Sequence, residues 1–188
     1  TINQFSYYAN LFDTKTTGVD VVADYNQQLQ KWGRIRWSLG FNWNETKITG
    51  KADTPSQLAG LGVNAQPIDH RIEGMITDGD PKTKLTLGAN WQFNKFDINA
   101  RVTRYGSYIA ADTNPALDQK FGAKWIADID ATYHVTDNLS LTLGADNVFN
   151  TYPDKSNILD SSGENLYSQT SPFGFYGGYY YGRVTYRF

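Results

Sequence analysis

The sequence predicts an all-β protein whose strands form an antiparallel, up-and-down meander of the kind found in transmembrane β-barrels. Three observations lead to this fold class. Apolar and polar residues alternate with a period of two, the alternating segments run for about ten residues or more, and the links between them are mostly short and long in turn. A soluble β-sandwich would also alternate, but its strands usually hold about five or six residues, so the longer segments favour a membrane barrel.

The composition excludes several functional classes. The 188 residues carry 17 Lys and Arg against 19 Asp and Glu, a balance that argues against nucleic-acid binding. Because the chain has no cysteine and only two histidines, His70 and His134, it offers neither a disulfide scaffold nor a multi-histidine metal centre. No run of about 20 apolar residues is present, so we predict no transmembrane helix.

Eight strands are predicted. They lie, in chain order, near residues 1–10, 14–28, 32–48, 82–94, 95–110, 122–135, 139–150 and 175–188. On each strand, residues two apart share a face. The apolar faces hold, strand by strand, Phe5, Tyr7 and Ala9; Val19, Val21, Ala23 and Tyr25; Ile35, Trp37, Leu39, Phe41 and Trp43; Leu85, Leu87, Ala89, Trp91 and Phe93; Phe96, Ile98, Ala100 and Val102; Trp125, Ala127, Ile129, Ala131, Tyr133 and Val135; Leu139, Leu141, Leu143 and Ala145; and Tyr180, Gly182, Val184, Tyr186 and Phe188. The alternation slips at Arg104 and Asn147, where we expect a bulge or a strand end.

The apolar faces fit a lipid bilayer in height and in composition. Five outward positions span about 10 residues, which at about 3.3 Å per residue and a tilt near 40° gives about 25 Å. Aromatic residues favour the two membrane interfaces, and they stand at the ends of these faces. They are Trp32, Trp43, Trp91, Phe93, Trp125, Tyr133, Tyr186 and Phe188.

The opposite faces carry charged residues. They include Asp20, Asp24, Arg34, Arg36, Lys84, Asp97, Arg101, Asp128, Asp130, Arg183 and Arg187. Eight strands can close alone, but the bore is then filled by side chains, and unpaired charges inside it would be costly. In a wide barrel the same residues meet water or an internal domain, so we favour a wide barrel.

The links between strands hold the candidate ligand contacts. Long links are expected near 49–81, 111–121 and 151–174, and short ones near 28–32, 94–95 and 136–138; the link at Leu11–Asp13 is short where a long one is due. Segment Pro67–Ile76 is compatible with one helical turn. Aromatic rings in or beside a loop can stack on a ligand, so the predicted ligand-binding residues are Tyr152, Tyr167, Phe173, Phe175 and Tyr176, with His70 and Arg71 from loop 49–81.

Paired carboxylates raise the question of catalysis. Asp128 and Asp130 lie on one strand face, where ordinary lumen polarity, or a salt bridge to Arg34 or Arg36 on another strand, is favoured over acid–base chemistry. Such ion pairs are the ordinary polarity of a barrel interior.

Two further patterns, a possible catalytic triad and a possible calcium loop, are interpreted as ordinary structural features. A Ser140–His134–Asp130 triad is formally possible, but His134 adjoins a short turn and is interpreted as a residue of the barrel rim. Asp78-Gly79-Asp80 has oxygen-rich spacing but lacks the further ligands of a calcium loop, which favours a glycine turn. We therefore predict no catalytic residue, no metal site and no cofactor.

Four motifs resemble those of a known family. The terminal strand Tyr179–Phe188 ends in an aromatic residue, and Ala145–Pro153 reads Ala-Asp-Asn-Val-Phe-Asn-Thr-Tyr-Pro. Thr17–Asp20 and Ser168–Phe175 complete the set. In order and spacing they resemble the C-terminal part of TonB-dependent outer-membrane receptors. The resemblance implies that residues 1–188 are a C-terminal β-barrel portion of a 22-stranded barrel, with the plug domain and the TonB-contacting segment absent.

The resemblance also implies a function. Such receptors reside in the bacterial outer membrane and import a scarce ligand, an iron chelate (siderophore), haem, cobalamin or an oligosaccharide, by energy-coupled transport. The implied partners are outer-membrane lipid, the plug domain and the rest of the barrel, the TonB complex and the small-molecule ligand, with no nucleic acid. Phe188 would lie at the periplasmic end, and Tyr186 and Phe188 would belong to the signal read by the barrel-insertion machinery.

Two other functions are kept open. The length also suits a small closed eight-stranded outer-membrane barrel with a structural or adhesive role. A barrel enzyme acting on lipid or peptide would use inward groups such as Asp128, Asp130 and His134, and it is the least favoured.

Overall fold

The computed structural model describes residues 10–52, 68–157 and 166–188. In chain order the strands are β1 (Phe12–Gln28), β2 (Arg34–Lys51), β3 (Thr83–Phe93), β4 (Phe96–Tyr105), β5 (Tyr108–Ala110), β6 (Gln119–Phe121), β7 (Lys124–His134), β8 (Leu139–Asp146) and β9 (Tyr179–Tyr186). Helix α1 (His70–Thr77) lies between β2 and β3, and single 3₁₀ turns cover Gln30–Trp32 and Pro115–Leu117.

The main sheet has seven strands, ordered β1-β2-β3-β4-β7-β8-β9, and every neighbouring pair is antiparallel. Strands β5 and β6 form a separate two-stranded sheet. The all-β, up-and-down fold class is confirmed. Of the eight predicted strands, residues 1–9 of the first lie outside the described residues, and the other seven correspond to the main sheet.

The register confirms the predicted faces. Leu39 of β2 lies opposite Leu87 of β3, which lies opposite Val102 of β4. On the other side of the sheet, Gly88 lies opposite Arg101, which lies opposite Asp128 of β7. Because directly paired residues of antiparallel strands point to the same side, one side of the sheet is apolar and the other polar.

Predicted strand 95–110 is two strands. Arg104 keeps its place in the ladder, on the apolar face opposite Leu85 and Trp125, and β4 ends one residue later. The strand breaks at Gly106, which is buried and whose N–H donates to the Thr83 carbonyl over 2.8 Å. A Cβ at Gly106 would lie 2.5 Å from Thr83 Oγ1, so the chain turns there and enters β5.

The slip at Asn147 is a strand end. Asn147 has a positive φ of 51°, and its side-chain amide donates to the Thr151 carbonyl while its Oδ1 accepts from the Thr151 N–H. Asn tolerates this backbone conformation, and its amide replaces the lost ladder bonds. Predicted strand 139–150 therefore ends at Asp146, and predicted strand 175–188 begins only at Tyr179.

The first described hairpin is longer than predicted. β1 begins at Phe12 rather than 14, β2 continues to Lys51 rather than 48, and the Ala52 N–H still donates to the Leu11 carbonyl over 2.8 Å. The predicted link at Leu11–Asp13 therefore lies partly within a strand. The pairing shifts between Asp13 and Thr14, which is the irregularity that lets the long ladder continue.

The predicted helical turn is a two-turn helix. Asp69 caps α1 by accepting from the Ile72 N–H over 2.8 Å, and the helix ends at Thr77. Its Gly74 packs so closely on Ala111 that a Cβ would collide with the Ala111 methyl group. No helix among the described residues is long and apolar enough to cross a membrane.

Few side chains are fully buried. Among the described residues the buried apolar ones are Ile68, Tyr108, Phe121, Ile126 and Ala145, and several of these lie at the end of the sheet that carries the long loops. A one-layer sheet has no second layer to cover its faces. Both faces of this sheet must therefore meet something other than a core of its own.

Candidate functional site

The polar face of the sheet is a network of cross-strand hydrogen bonds. Arg101 donates from Nε and Nη2 to Asp128 Oδ2, at 3.0 and 2.8 Å. The other carboxylate oxygen of Asp128 accepts from the Asn147 N–H over 2.9 Å. The Asp128 carboxylate on β7 therefore binds two other elements: Arg101 on β4, and the backbone at Asn147, where β8 ends.

A second row runs parallel to this one. The amide of Asn90 donates to Asn99, and the amide of Asn99 donates in turn to Asp130, at 2.5 and 2.9 Å. Arg36 donates to Asp24 rather than to either carboxylate of β7.

The predicted pairing of Arg34 or Arg36 with Asp128 or Asp130 is therefore wrong. Arg34 binds Gln92 over 2.6 Å, and β3 and β4 lie between both arginines and β7. The ion pair that forms joins residues that face each other directly on β4 and β7.

An aromatic and cationic cluster stands at the long-loop end of this polar face. The ring of Tyr105 lies 5.6 Å from the ring of Phe173, and Lys84 Nζ lies 5.2 Å from the centre of the Tyr105 ring. Lys124 faces Tyr105 across the β4–β7 ladder. Of the four, only Phe173 belongs to the predicted ligand set. Tyr105 is the last residue of β4 and Lys124 is the first residue of β7, and both lie on the polar face. Their position beside the long loops is the sequence signal that could have identified them as candidate ligand contacts.

The other predicted loop aromatics form two pairs. Tyr152 and Tyr167 stack at 5.3 Å, and a Cβ at Gly177 would collide with the Tyr152 hydroxyl. Phe175 and Tyr176 lie 4.7 Å apart, and Tyr176 is 87% exposed. The loop therefore presents one ring to solvent beside a packed pair.

His70 and Arg71 lie together at the start of α1, away from these rings in sequence. His70 Nε2 lies 2.8 Å from Asp118 Oδ2, and the Asp118 Oδ1 accepts from the Asp112 N–H. These bonds from His70 and from the Asp112 backbone hold the pKa of Asp118 below its ordinary value. His70 thus ties loop 49–81 to loop 111–121, while Arg71 is exposed.

The three long loops brace one another. Gln119 donates to the Lys155 carbonyl and accepts from the Asn157 N–H, both over 2.7 Å. Asp154 accepts from Lys124 and, over 2.6 Å, from the Gly122 N–H, and these two bonds lower its pKa. Loop 151–174 is therefore bound to the residues around β6.

The Asp78-Gly79-Asp80 segment is a turn. Asp78 forms an ion pair with Lys82 at 3.0 Å and accepts from Thr77 over 2.7 Å. Burial alone would raise the pKa of Asp78, but these hydrogen bonds outweigh it and the pKa is lowered. Among the described residues, no group of three or more His, Asp or Glu side chains is placed to hold a metal ion.

The candidate triad does not assemble. His134 faces Ser140 in the β7–β8 ladder, but its Nε2 lies 2.7 Å from Asp97 Oδ2 rather than near Asp130. His134 reaches Asp97 because Asp97 lies opposite Thr132 on β7. Thr132 is two residues before His134 and points to the same side of the sheet. The arrangement is a hydrogen bond between His134 and Asp97 at the short-turn end.

Comparison with known protein families decides what this sheet is part of. A family model described as TonB dependent receptor-like, beta-barrel, matches residues 1–148. The chain belongs to this family. TonB-dependent receptor barrels are proteins of the bacterial outer membrane, so the apolar face of the sheet faces lipid and the polar face lines the lumen. The short turns then face the periplasm and the long loops the outside.

Solved TonB-dependent receptors share the fold. The pyoverdine outer membrane receptor FpvA from Pseudomonas aeruginosa PAO1, bound to pyoverdine, matches at a TM-score of 0.58 and 15% identity, over 94% of this chain and 22% of that one. The ferric enterobactin receptor PfeA of Pseudomonas aeruginosa, as a G324V mutant, matches at 0.56 and 18%, over 90% and 22%. The ferric-catecholate import receptor Fiu from K12 E. coli matches at 0.50 and 15%, over 93% and 25%. The present chain thus spans a quarter or less of each, and no curated protein matches it.

The proposed insertion signal lies at the periplasmic end. Tyr186 closes β9 and meets the Phe188 ring edge-on at 5.3 Å, and the Arg187 N–H donates to the Asn138 carbonyl. Both rings are exposed on the lipid-facing side, where interfacial aromatic residues are expected. Their role in insertion stays a prediction.

Proposed function

We propose that this chain forms part of the wall and the outer loops of a TonB-dependent receptor that imports a small ligand by energy-coupled transport, and that the ligand is an iron chelate. The whole receptor would have a 22-stranded barrel of which residues 1–188 are the C-terminal portion. A plug domain in the lumen and the TonB complex would be its partners. The family is one of receptors and transporters, and we propose no covalent chemistry for this chain.

The observation that carries the proposal is the cluster of Tyr105, Phe173, Lys84 and Lys124 at the outer end of the lumen face. Iron chelates present anionic oxygen atoms and flat apolar faces to the protein. Aromatic rings can stack on such faces, and the Lys84 ammonium group favours negative charge, whereas the Lys124 ammonium group is already paired with Asp154. Tyr176 and the stacked pair of Tyr152 and Tyr167 are further aromatic residues in or beside loop 151–174, which also carries Phe173.

The hydrogen-bonded lumen face supports the proposal that the barrel holds a plug domain and transports a ligand. Asp24 and Asp128 pair with Arg36 and Arg101 within the sheet, yet both arginines keep more than half of their side chains exposed. A polar, largely satisfied wall can face water or a plug domain without large rearrangement. This is the property needed in a bore whose contents move during transport.

The test is uptake by the natural polypeptide that contains this sequence. A strain lacking the gene is complemented with wild-type or variant receptor, and uptake of ⁵⁵Fe-labelled chelates, labelled cobalamin and a labelled oligosaccharide is compared under iron limitation. Saturable uptake of one iron chelate, lost in a Tyr105→Ala/Phe173→Ala double variant, supports the proposal. Ile129→Ala, on the lipid-facing side, is the matched control and should transport normally.

Two outcomes contradict the proposal. Uptake of cobalamin or oligosaccharide with no iron chelate transported rejects the ligand class. A mature polypeptide of 21.2 kDa, without a plug domain, favours the small closed barrel instead.

A further inference from the structure

The lipid-facing side of the sheet carries a depression. It has a volume of about 490 Å³ and spans strands β1 to β4. That volume lies within the roughly 300–1,000 Å³ typical of small-molecule pockets.

The depression is built from a change in side-chain size. Ala89 of β3 lies directly between Trp37 of β2 and Ala100 of β4, and the next pair along the ladder is Leu87 with Leu39. Adjacent alanines lower the floor, while Trp37 and Tyr25 form one wall and the leucines and Val102 form the other. The lining is mostly apolar, and its polar groups on this face are the Tyr25 hydroxyl and the indole N–H of Trp37, which is already bonded to Gln27 over 2.9 Å. Asp24 and Ser38 also border the depression, and the Asp24 carboxylate is bonded to Arg36 on the polar face.

An aromatic platform adjoins the depression on its periplasmic side. Trp91 follows Ala89 on the same face of β3, and its indole N–H donates to the Trp32 carbonyl over 2.8 Å. The ring of Phe93 lies 5.9 Å from the ring of Trp91 and 5.6 Å from that of Trp32. Such a platform is typical of the interface between hydrocarbon and headgroups.

A positive charge stands at the edge of this platform. Lys31 Nζ lies 5.8 Å from the centre of the Trp32 ring, in the periplasmic turn between β1 and β2. Residues 28–33, which form this turn, contain Lys31 and no acidic residue. The local charge therefore favours a phosphate at the headgroup level.

We propose that this depression binds one phospholipid of the periplasmic leaflet, with an acyl chain over Ala89 and Ala100 and its phosphate near Lys31. An acyl chain suits an apolar recess open along its length, and the lysine supplies the complement to an anionic headgroup. A second copy of the barrel would place the same charged turn beside its own symmetry mate and would lack a counter-charge there. The inference depends on the membrane location of the sheet and not on the transport proposal.

The experiment measures lipid retained by the natural polypeptide. The receptor is purified in detergent, saturated with palmitoyl-oleoyl-phosphatidylglycerol, washed with increasing detergent, and examined by native mass spectrometry. We expect one phosphatidylglycerol per barrel to survive washing in the wild type. Ala89→Phe, which fills the floor, should reduce that occupancy at least five-fold.

Matched variants separate a built site from ordinary boundary lipid. Ala131→Phe adds the same ring to the same face of the sheet outside the depression, and it should retain the lipid as the wild type does. Lys31→Gln leaves the strands untouched, so it keeps the test available if Ala89→Phe does not fold. It should lower retention of phosphatidylglycerol but not of a diacylglycerol with the same chains.

Three results would overturn the inference. Equal retention by wild type, Ala89→Phe and Ala131→Phe would mean boundary lipid only. Retention indifferent to Lys31→Gln would remove the headgroup contact. Dimers of the barrel that disappear in Ala89→Phe would identify a second copy as the occupant instead.

Discussion

The ring of Tyr181 on β9 covers Gly144 of β8 on the lumen side of the sheet, so closely that a Cβ at position 144 would overlap the ring. Arg183 lies 5.7 Å from the centre of the same ring. Because Gly144 has no side chain, the Tyr181 ring can lie flat on the backbone of β8. The ring then shields the backbone at Gly144 from water.

Replacing Gly144 should therefore be costly. We expect Gly144→Ala to displace Tyr181 and to destabilise the barrel by about 1–3 kcal/mol, the usual cost of overpacking. Gly40→Ala is the control, because a Cβ there meets only Thr86 Cβ at 4.0 Å. Urea unfolding of the reconstituted receptor measures both, and equal midpoints for the two variants would refute the role assigned to Tyr181.

The Arg101–Asp128 and Arg36–Asp24 ion pairs on the lumen face should differ in their contribution to the free energy of unfolding. Asp128 is 17% exposed and also accepts from the Asn147 N–H, whereas Asp24 is 42% exposed. Asp128→Ala should cost about 1–3 kcal/mol because it leaves a part-buried N–H unsatisfied. Asp24→Ala should cost about 0–1 kcal/mol, as exposed pairs do. The comparison uses unfolding midpoints, and a larger effect for Asp24 would contradict this account.

The brace at Asp154 should depend on pH. Its folded-state pKa lies below the ordinary 3.8, because Lys124 and the Gly122 N–H stabilise the carboxylate. The bracing is therefore present above the ordinary pKa and is lost as the pH falls through the lowered value. Hydrogen exchange of the Gly122 amide should be protected in the wild type relative to Asp154→Asn at neutral pH. That difference should shrink as the pH falls through the lowered pKa of Asp154 and the carboxyl becomes protonated.

Lys124→Gln serves as the control for this prediction. It removes the strongest partner of Asp154 while the Gly122 N–H contact remains available. Partial protection of the Gly122 amide is expected, and protection of that amide unchanged between neutral and acidic solution in the wild type would disprove the brace.

Variants of Tyr176 and Tyr108 should distinguish a residue that contacts the ligand from one that stabilises the fold by packing. Tyr176 is 87% exposed, so Tyr176→Ala should leave the free energy of unfolding within about 0.5 kcal/mol and, if the proposed function is correct, lower the affinity for the iron chelate. Tyr108 is 4% exposed and stacked on Phe121, so Tyr108→Ala should instead cost about 3–5 kcal/mol. Equilibrium binding and unfolding are measured on the same samples. Unchanged affinity in Tyr176→Ala would remove that residue from the ligand site.

The C-terminal aromatic residue should matter for assembly and not for the finished barrel. Phe188 is fully exposed, so Phe188→Ala should leave the unfolding midpoint of assembled receptor unchanged. If the residue is part of the insertion signal, the amount of receptor reaching the outer membrane should fall. Leu143→Ala, an exposed change on the same face, is the comparison. Normal assembly of Phe188→Ala would reject the signal.

The faces of the strands could be predicted because they depend only on the period of two. Leu39, Leu87 and Val102 point to one side by alternation alone, and the register keeps them there. The position of Arg104 illustrates the limit. Its charge disturbs the pattern without disturbing the ladder, so composition suggested a slip where the backbone has none.

The loop contacts could not be predicted in the same way. The approach of Phe173 to Tyr105 depends on the path of loop 151–174 and on the turn at Gly106, neither of which has a periodic signal. The β5–β6 hairpin was hidden for a related reason, because Tyr108-Ile109-Ala110 continues the apolar character of the strand before it.

The order of the seven strands has a consequence for how the wall can be completed. β1 and β9 stand at its two edges, and since each step across the sheet reverses the chain, an odd number of strands leaves them running in the same direction. Joining these edges directly would create a parallel pair, whereas outer-membrane barrels of this class close with even numbers of antiparallel strands. At least one additional strand must therefore be inserted between β9 and β1 before the described sheet can enclose a lumen.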